Sequence, residues 1–204
     1  MAEGASTHRG RPRDPEFENR VLDAAIAIYA HGGWTGFTFE AVARTAGVGK
    51  AGLYLRWPSR QALLRHTLEA RWLAPERIDT GSLRGDLLAL ARQVFMARTS
   101  AYAGAAIWMA IDTERHAEAA AATAPYGQAA ILQGRAIVRR AIHRGDIPQG
   151  ANPGLLMDMV VGAVVNHVAT TPPQLRPAMI ARMEAFTDDL VDTVLSGVAA
   201  RTRG

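Results

Sequence analysis

Three glycines and a lysine raise the question of chemistry in this chain. In "AGVGKAG", Gly47, Gly49 and Gly52 reproduce G-x-G-x-x-G, the turn that brings a dinucleotide's pyrophosphate against backbone N–H groups, and Lys50 hints at a phosphate-binding P-loop. Both readings fail on their surroundings. A P-loop needs glycine where Arg44 stands and a magnesium-ligating hydroxyl where Ala51 stands. A dinucleotide turn must follow a buried strand, yet Phe39, Val42, Ala43 and Ala46 precede this one at i, i+3, i+4, i+7, the stripe of an amphipathic helix. Other catalytic patterns are missing: there is no G-x-S-x-G elbow, no H-E-x-x-H pair and no cysteine nucleophile. Asp112 and His116 are spaced to share a helix face near Glu114, but no further ligand motif accompanies them, so a solvated face is the simpler reading. Neither a metal, a cofactor nor an enzymatic activity is expected.

The elements that carry the glycine turn are helices. Thr38 is placed to cap the helix at 38–46, with Glu40 in its first turn where the helix dipole favours an acid. Gly47 ends it in the left-handed conformation, Val48 supplies a core contact in the turn, and "KAGLYLRW" forms a second short helix. An earlier helix runs from Pro15 to His31 on Phe17, Val21, Ala24, Ala25 and Ile28, and stops at Gly32-Gly33. Ser59 caps a further helix, "RQALLRHTLEARWL". Two short helices joined by a glycine turn and preceded by a third make a helix-turn-helix, for which Ala43, Gly47 and Leu53 supply the small contact, the turn and the apolar anchor. Its second helix would lie in a major groove, with Gly49 and Lys50 at an N-terminus suited to DNA phosphate.

Composition agrees with a soluble, cytoplasmic protein. The chain has 204 residues, no cysteine and a net charge of +4. Its polar N-terminus lacks a secretory h-region, and "LLMDMVVGAVVNHVA" contains Asp158, Asn166 and His167 and falls short of a membrane span. Residues 1–14 read as a flexible basic arm in which Arg9, Arg11 and Arg13 of "RGRPR" are suited to an A·T-rich minor groove. Residues 15–58 form the helix-turn-helix domain and 59–204 a larger helical domain entered through a connecting helix at 59–74. Further helices are expected at about 83–100, 102–123, 126–144, 153–169 and 175–200, with "TAPYG", "RGDIPQGANP" and "TTPPQ" as breaks. No strand pattern is present, so the fold class is all-α, an N-terminal three-helix bundle followed by a larger helical domain.

The stretch from about 17 to 73, with "YAHGG" followed by "WTGFTFEAVARTAGVGKAGLYLRWPSRQALL", resembles the TetR family of bacterial transcriptional regulators. The resemblance implies that Thr38 touches phosphate, that Lys50 and Ala51 read bases, that Tyr54, Arg56 and Arg60 grip phosphates, and that Trp57 closes the small core. Gly49 stands where the family carries serine and Gly52 where it carries serine or threonine, which leaves base discrimination to Lys50. It also implies a C-terminal domain that dimerises and binds a small molecule. For the interface, Leu156, Val160 and Val164 are expected from one helix and Met183, Phe186, Leu190 and Val194 from the last, in a four-helix bundle across a two-fold axis. Trp72, Phe95, Met96, Tyr102, Trp108, Met109, Met157, Asn166 and His167 are the candidates for a pocket holding an apolar or aromatic effector. The partners expected are thus a palindromic double-stranded operator, a second copy of the chain and a small effector. Two other readings compete: a DNA-binding regulator without a small ligand, and a helical ligand-binding or enzymatic protein whose head does not read DNA.

Overall fold

A computed structural model describes residues 15–71 and 77–201. They form ten α-helices and a short 3₁₀ turn, without a strand among the described residues. The head comprises α1 (Pro15–Gly36), α2 (Phe39–Ala46), α3 (Lys50–Arg56) and α4 (Arg60–Arg71). Its caps are local chemistry. The Thr38 hydroxyl accepts the Ala41 N–H at 3.1 Å, and the Ser59 hydroxyl accepts that of Ala62 at 3.1 Å. Gly47, at φ 65°, ends α2 while the Val48 N–H returns to the Ala43 carbonyl at 3.0 Å. α1 breaks at Gly33, where φ 57° and ψ −158° are not helical, and a single turn continues to Gly36.

The larger domain holds α5 (Leu83–Thr99), α6 (Ala103–Arg115), α7 (Ala117–Arg144), α8 (Pro153–Thr170), a 3₁₀ turn (Pro173–Leu175), α9 (Arg176–Ala181) and α10 (Met183–Arg201). Two expected boundaries move. The break expected near Pro125 falls at His116, whose φ −136° and ψ 106° separate α6 from α7, and α7 runs through Pro125. Tertiary burial outweighs the lost backbone bond: Ala119 and Ala122, one turn before the proline, are fully buried and need the helix to continue. The last expected helix is broken at Arg182, which divides α9 from α10. α8 is long and apolar enough in composition to cross a membrane. One stripe of it, Leu156, Val160, Val164 and Val168, lies in the protein core.

Buried side chains gather into two clusters. One joins α1 to α4 with Ala105 of α6 and Ala119 and Ala122 of α7, so it draws residues from both sides of the boundary at residue 58. α6 crosses α1 at Gly104, where a Cβ would stand 2.1 Å from the Ala30 carbonyl oxygen; the two backbones touch. The second cluster fills the space between α5, the end of α7, α8, α9 and α10. Asp86, fully buried at the start of α5, pins this domain. Burial alone would raise its pKa, but the Thr80 N–H and hydroxyl, with Arg140 and Arg144, more than offset that and hold it below the usual range.

Candidate nucleic-acid interface

α3 is fixed by Leu53, fully buried, and by Trp57 just past its end, whose indole N–H donates to the His66 ring of α4 at 3.0 Å. With Leu53 facing in, Lys50, Ala51, Tyr54 and Leu55 face out. Leu55 is 86% exposed, and sequence reasoning missed it. Leu53 and Leu55 lie two positions apart and so cannot share a helix face; one had to point to solvent. Ala51 and Leu55, four apart, form an apolar strip of the kind that meets thymine methyl groups, flanked by Lys50 and Tyr54.

Around this strip the expected contacts divide. Thr38 uses its oxygen lone pair for the α2 cap, which leaves its O–H free to donate to a phosphate. Tyr54 is 60% exposed with its ring edge-on to Phe39 at 4.6 Å, so packing orients the phenol without burying it. The Arg56 guanidinium lies 4.2 Å over the Phe17 ring and remains exposed. Gly49 precedes α3 with no side-chain cap. Gly52 differs from its expected place on the DNA face. A Cβ there would sit 2.9 Å from the Phe17 ring, so the glycine is the seat for α1 against α3.

Arg60, expected to grip phosphate, also has contacts within the chain. Its guanidinium lies 4.3 Å over the Trp34 ring, donates to the Phe37 carbonyl at 3.2 Å and the Trp34 carbonyl at 3.5 Å, and stands 3.7 Å from Glu118 of α7. It anchors the loop before α2. On the other side of that loop, the buried Asp112 of α6 accepts the Trp34 N–H at 2.8 Å. The nearby Asp112 carboxylate adds to burial in raising the pKa of the enclosed Tyr29 hydroxyl. Asp112 therefore serves the head's backbone, with His116 beside it. Arg9, Arg11, Arg13 and Trp72 lie outside the described residues.

Lys50 is not idle in the free protein. It donates to Glu40 at 3.0 Å, and both the hydrogen bond and the ammonium charge lower the Glu40 pKa. The DNA contact expected of Lys50 would have to compete for that ammonium. Glu40→Gln is expected to tighten binding to duplex DNA roughly two- to fivefold at constant salt, by weakening a surface pair and removing an acid beside the phosphates. Fluorescence anisotropy checks this, and unchanged or weaker binding would show that the pair does not restrain Lys50.

A family model for the DNA-binding region, "Bacterial regulatory proteins, tetR family", matches residues 21–67, and one for a "Tetracyclin repressor-like, C-terminal domain" matches residues 77–194. The chain belongs to the TetR family. It is a sequence-specific DNA-binding transcriptional regulator with a helical, tetracyclin-repressor-like second domain. Among relatives, it is 29% identical over 176 residues to the HTH-type transcriptional regulator AqdR of Rhodococcus erythropolis, covering 84% of this chain and 85% of that one. The solved TetR-family regulator SCO0332 is also 29% identical, with a TM-score of 0.57 over 90% of this chain and 98% of that chain. FadR from Bacillus subtilis, solved in complex with stearoyl-CoA, shares the fold at 18% identity and a TM-score of 0.63, over 88% and 98% of the two chains.

TetR-family membership directs attention to the second domain, where the expected pocket residues do not assemble. Phe95 is buried in the second core, with its ring 6.5 Å from that of Phe186, and His167 stacks on Phe186 at 4.0 Å. Met157 packs against Gly134, and Met96 is exposed. Tyr102, Trp108 and Met109 instead pack against the head's core, with Trp108 beside Gly33. Asn166 is exposed, so it is not the buried polar group expected of a ligand contact. Aromatic spacing marked Phe95, Tyr102 and Trp108 as burying but could not say in which core.

The expected dimer face needs a similar correction. Leu156, Val160, Val164 and Val194 are buried by their own chain and unavailable to a second copy. Met183, Phe186 and Leu190 are half-buried. The outer face of α8 carries Leu155, Met159, Gly162 and Asn166 instead, with Leu155 45% and Met159 41% exposed. A helix apolar on every side does not reveal which stripe its own core takes.

Proposed function

We propose that this regulator is a homodimeric repressor that binds a palindromic operator in the cytoplasm and leaves it when a small effector occupies the second domain. The observation that carries this reading is the shared core. Ala105, Ala119 and Ala122 of the larger domain are packed into the head, so a shift of α6 or α7 reaches the helix-turn-helix through direct contact. An effector releases DNA only by binding more tightly to the arrangement in which the two heads no longer match one duplex face. The outer face of α8, with Leu155 and Met159, would join the two copies alongside Met183, Phe186 and Leu190 of α10. Lys50, Ala51 and Leu55 would read base edges; Thr38, Tyr54 and Arg56 would hold phosphates; Arg9, Arg11 and Arg13 would enter the minor groove. The stearoyl-CoA bound by FadR, a protein of the same fold, supports a small-molecule effector.

Selection from random duplex DNA tests the reading. It should enrich an inverted repeat whose affinity falls steeply with salt, as each head replaces several condensed counterions. Selection of a single half-site, or binding by a monomer, would overturn the homodimer.

A further inference from the structure

Six arginines in the described residues are half-buried: Arg60, Arg71, Arg92, Arg98, Arg140 and Arg144. Five are neutralised within the chain. Arg60 faces Glu118, Arg71 pairs with Asp23, Arg92 with Glu184, Arg140 with Asp79 and Asp86, and Arg144 with Asp86 and Asp146. Arg98 alone of the six has neither an acidic nor a hydrogen-bonding partner among the described residues.

Its position is as unusual as its lack of a partner. Leu87, Ala91 and Arg98 follow one another at steps of four and seven, so Arg98 leaves α5 from the side that buries Leu87 and Ala91 completely. The chain passes there from one core to the other. Phe95 belongs to the second cluster and Tyr102 and Ala105 to the first, while α5 and α6 meet at 94°. An arginine in a last helical turn ordinarily finds the terminal carbonyls. Here the Thr99 hydroxyl donates to the Phe95 carbonyl at 2.9 Å and the Ser100 hydroxyl to that of Ala97 at 3.0 Å. Partial burial lowers the Arg98 pKa, and among the described residues no carboxylate lies close enough to offset it.

We propose that the effector is an amphipathic anion, an apolar body ending in a carboxylate or phosphate, and that Arg98 at the α5–α6 corner takes its charge. This rests on the second domain binding a small molecule, as proposed above. The apolar body would lie along α5 beside Val94, half-buried against the second core one turn before Arg98. Arg98 was absent from the expected pocket, although its place on the Leu87–Ala91 line is legible in the sequence.

Two fluorescent probes with one ring system separate charge from apolar binding: anilinonaphthalene sulfonate and the uncharged phenylnaphthylamine. The full-length protein should bind both at one saturable site per chain. Arg98→Met should lose at least tenfold in affinity for the sulfonate and leave phenylnaphthylamine unchanged, with Arg98→Lys between. Decanoate or decyl phosphate should displace the sulfonate from the unmodified protein where decanol does not, and the better competitor distinguishes carboxylate from phosphate. Equal sulfonate binding by Arg98→Met overturns the proposal while leaving an apolar site intact. If Arg98→Met does not fold, displacement by decanol as effective as by both anions overturns it on the unmodified protein alone. Failure of both probes to saturate overturns the small-molecule reading itself, and this proposal with it.

Discussion

Gly33→Ala should destabilise the protein by about 4 kcal/mol, with a fall in melting temperature of roughly 10 °C for a chain of this size. Two costs add. At φ 57° and ψ −158° the backbone occupies a region open essentially to glycine alone, worth about 1–3 kcal/mol for any other residue. The new Cβ would also stand 2.5 Å from the Trp108 ring and 3.0 Å from the Asp112 carboxylate, inside a packed interface where overfilling costs about 1–3 kcal/mol. Neither neighbour is free to retreat. Trp108 packs against the head's core, and Asp112 holds the Trp34 N–H. Urea unfolding followed by circular dichroism measures the loss. A change below about 1 kcal/mol would mean that the α1 break is not held as described.

Arg60→Ala should destabilise the fold by about 2 kcal/mol, because the guanidinium's stacking on Trp34 and its bonds to two loop carbonyls disappear together. DNA binding should fall for all sequences alike, as a phosphate contact would also predict, so affinity alone does not discriminate. The salt dependence does. Loss of a phosphate contact lowers the slope of log affinity against log salt by about one, whereas loss of a loop anchor lowers the melting temperature and leaves that slope in place. Arg60→Lys sharpens the contrast, since it keeps the charge but neither the planar stack nor the fork of donors. A variant with unchanged melting and a reduced slope would return Arg60 to the phosphate backbone.

What could be read from sequence was what neighbours in the chain decide. Thr38, Ser59 and Gly47 cap helices through atoms three or four residues away, and the Ala43–Gly47–Leu53 spacing of the helix-turn-helix is equally local. Distant partners decided the rest. Nothing near Pro125 announces that Ala119 and Ala122 will be buried in the head's core and carry the helix through the proline. Gly52 looked like a missing hydroxyl because its neighbour in space, Phe17, is far back in the chain. The loop-anchoring contacts of Arg60 were hidden for the same reason, its partner carbonyls lying 23 and 26 residues earlier. The apolar sides of α8 could not be ranked, so the stripe through Leu156, Val160 and Val164 stood for an interface that Leu155 and Met159 are free to make. Leu55 and Arg98 are different cases: helix phase alone exposes the one and aligns the other with a buried stripe.

The reading head is also not a transferable cassette. Ala105, Ala119 and Ala122, with the half-buried Trp108 and Tyr126, complete its interior from the far side of α5, and Asp112 holds the backbone at its α1 break. A gene fragment ending at residue 71 would encode the helix-turn-helix with one wall of its core laid bare, a surface prone to self-association rather than to folding. Exchange of heads between relatives would therefore succeed only when α6 and the opening turns of α7 travel with the head. The head and the larger domain are physically linked in this chain, because the alanines that belong to one fill the core of the other.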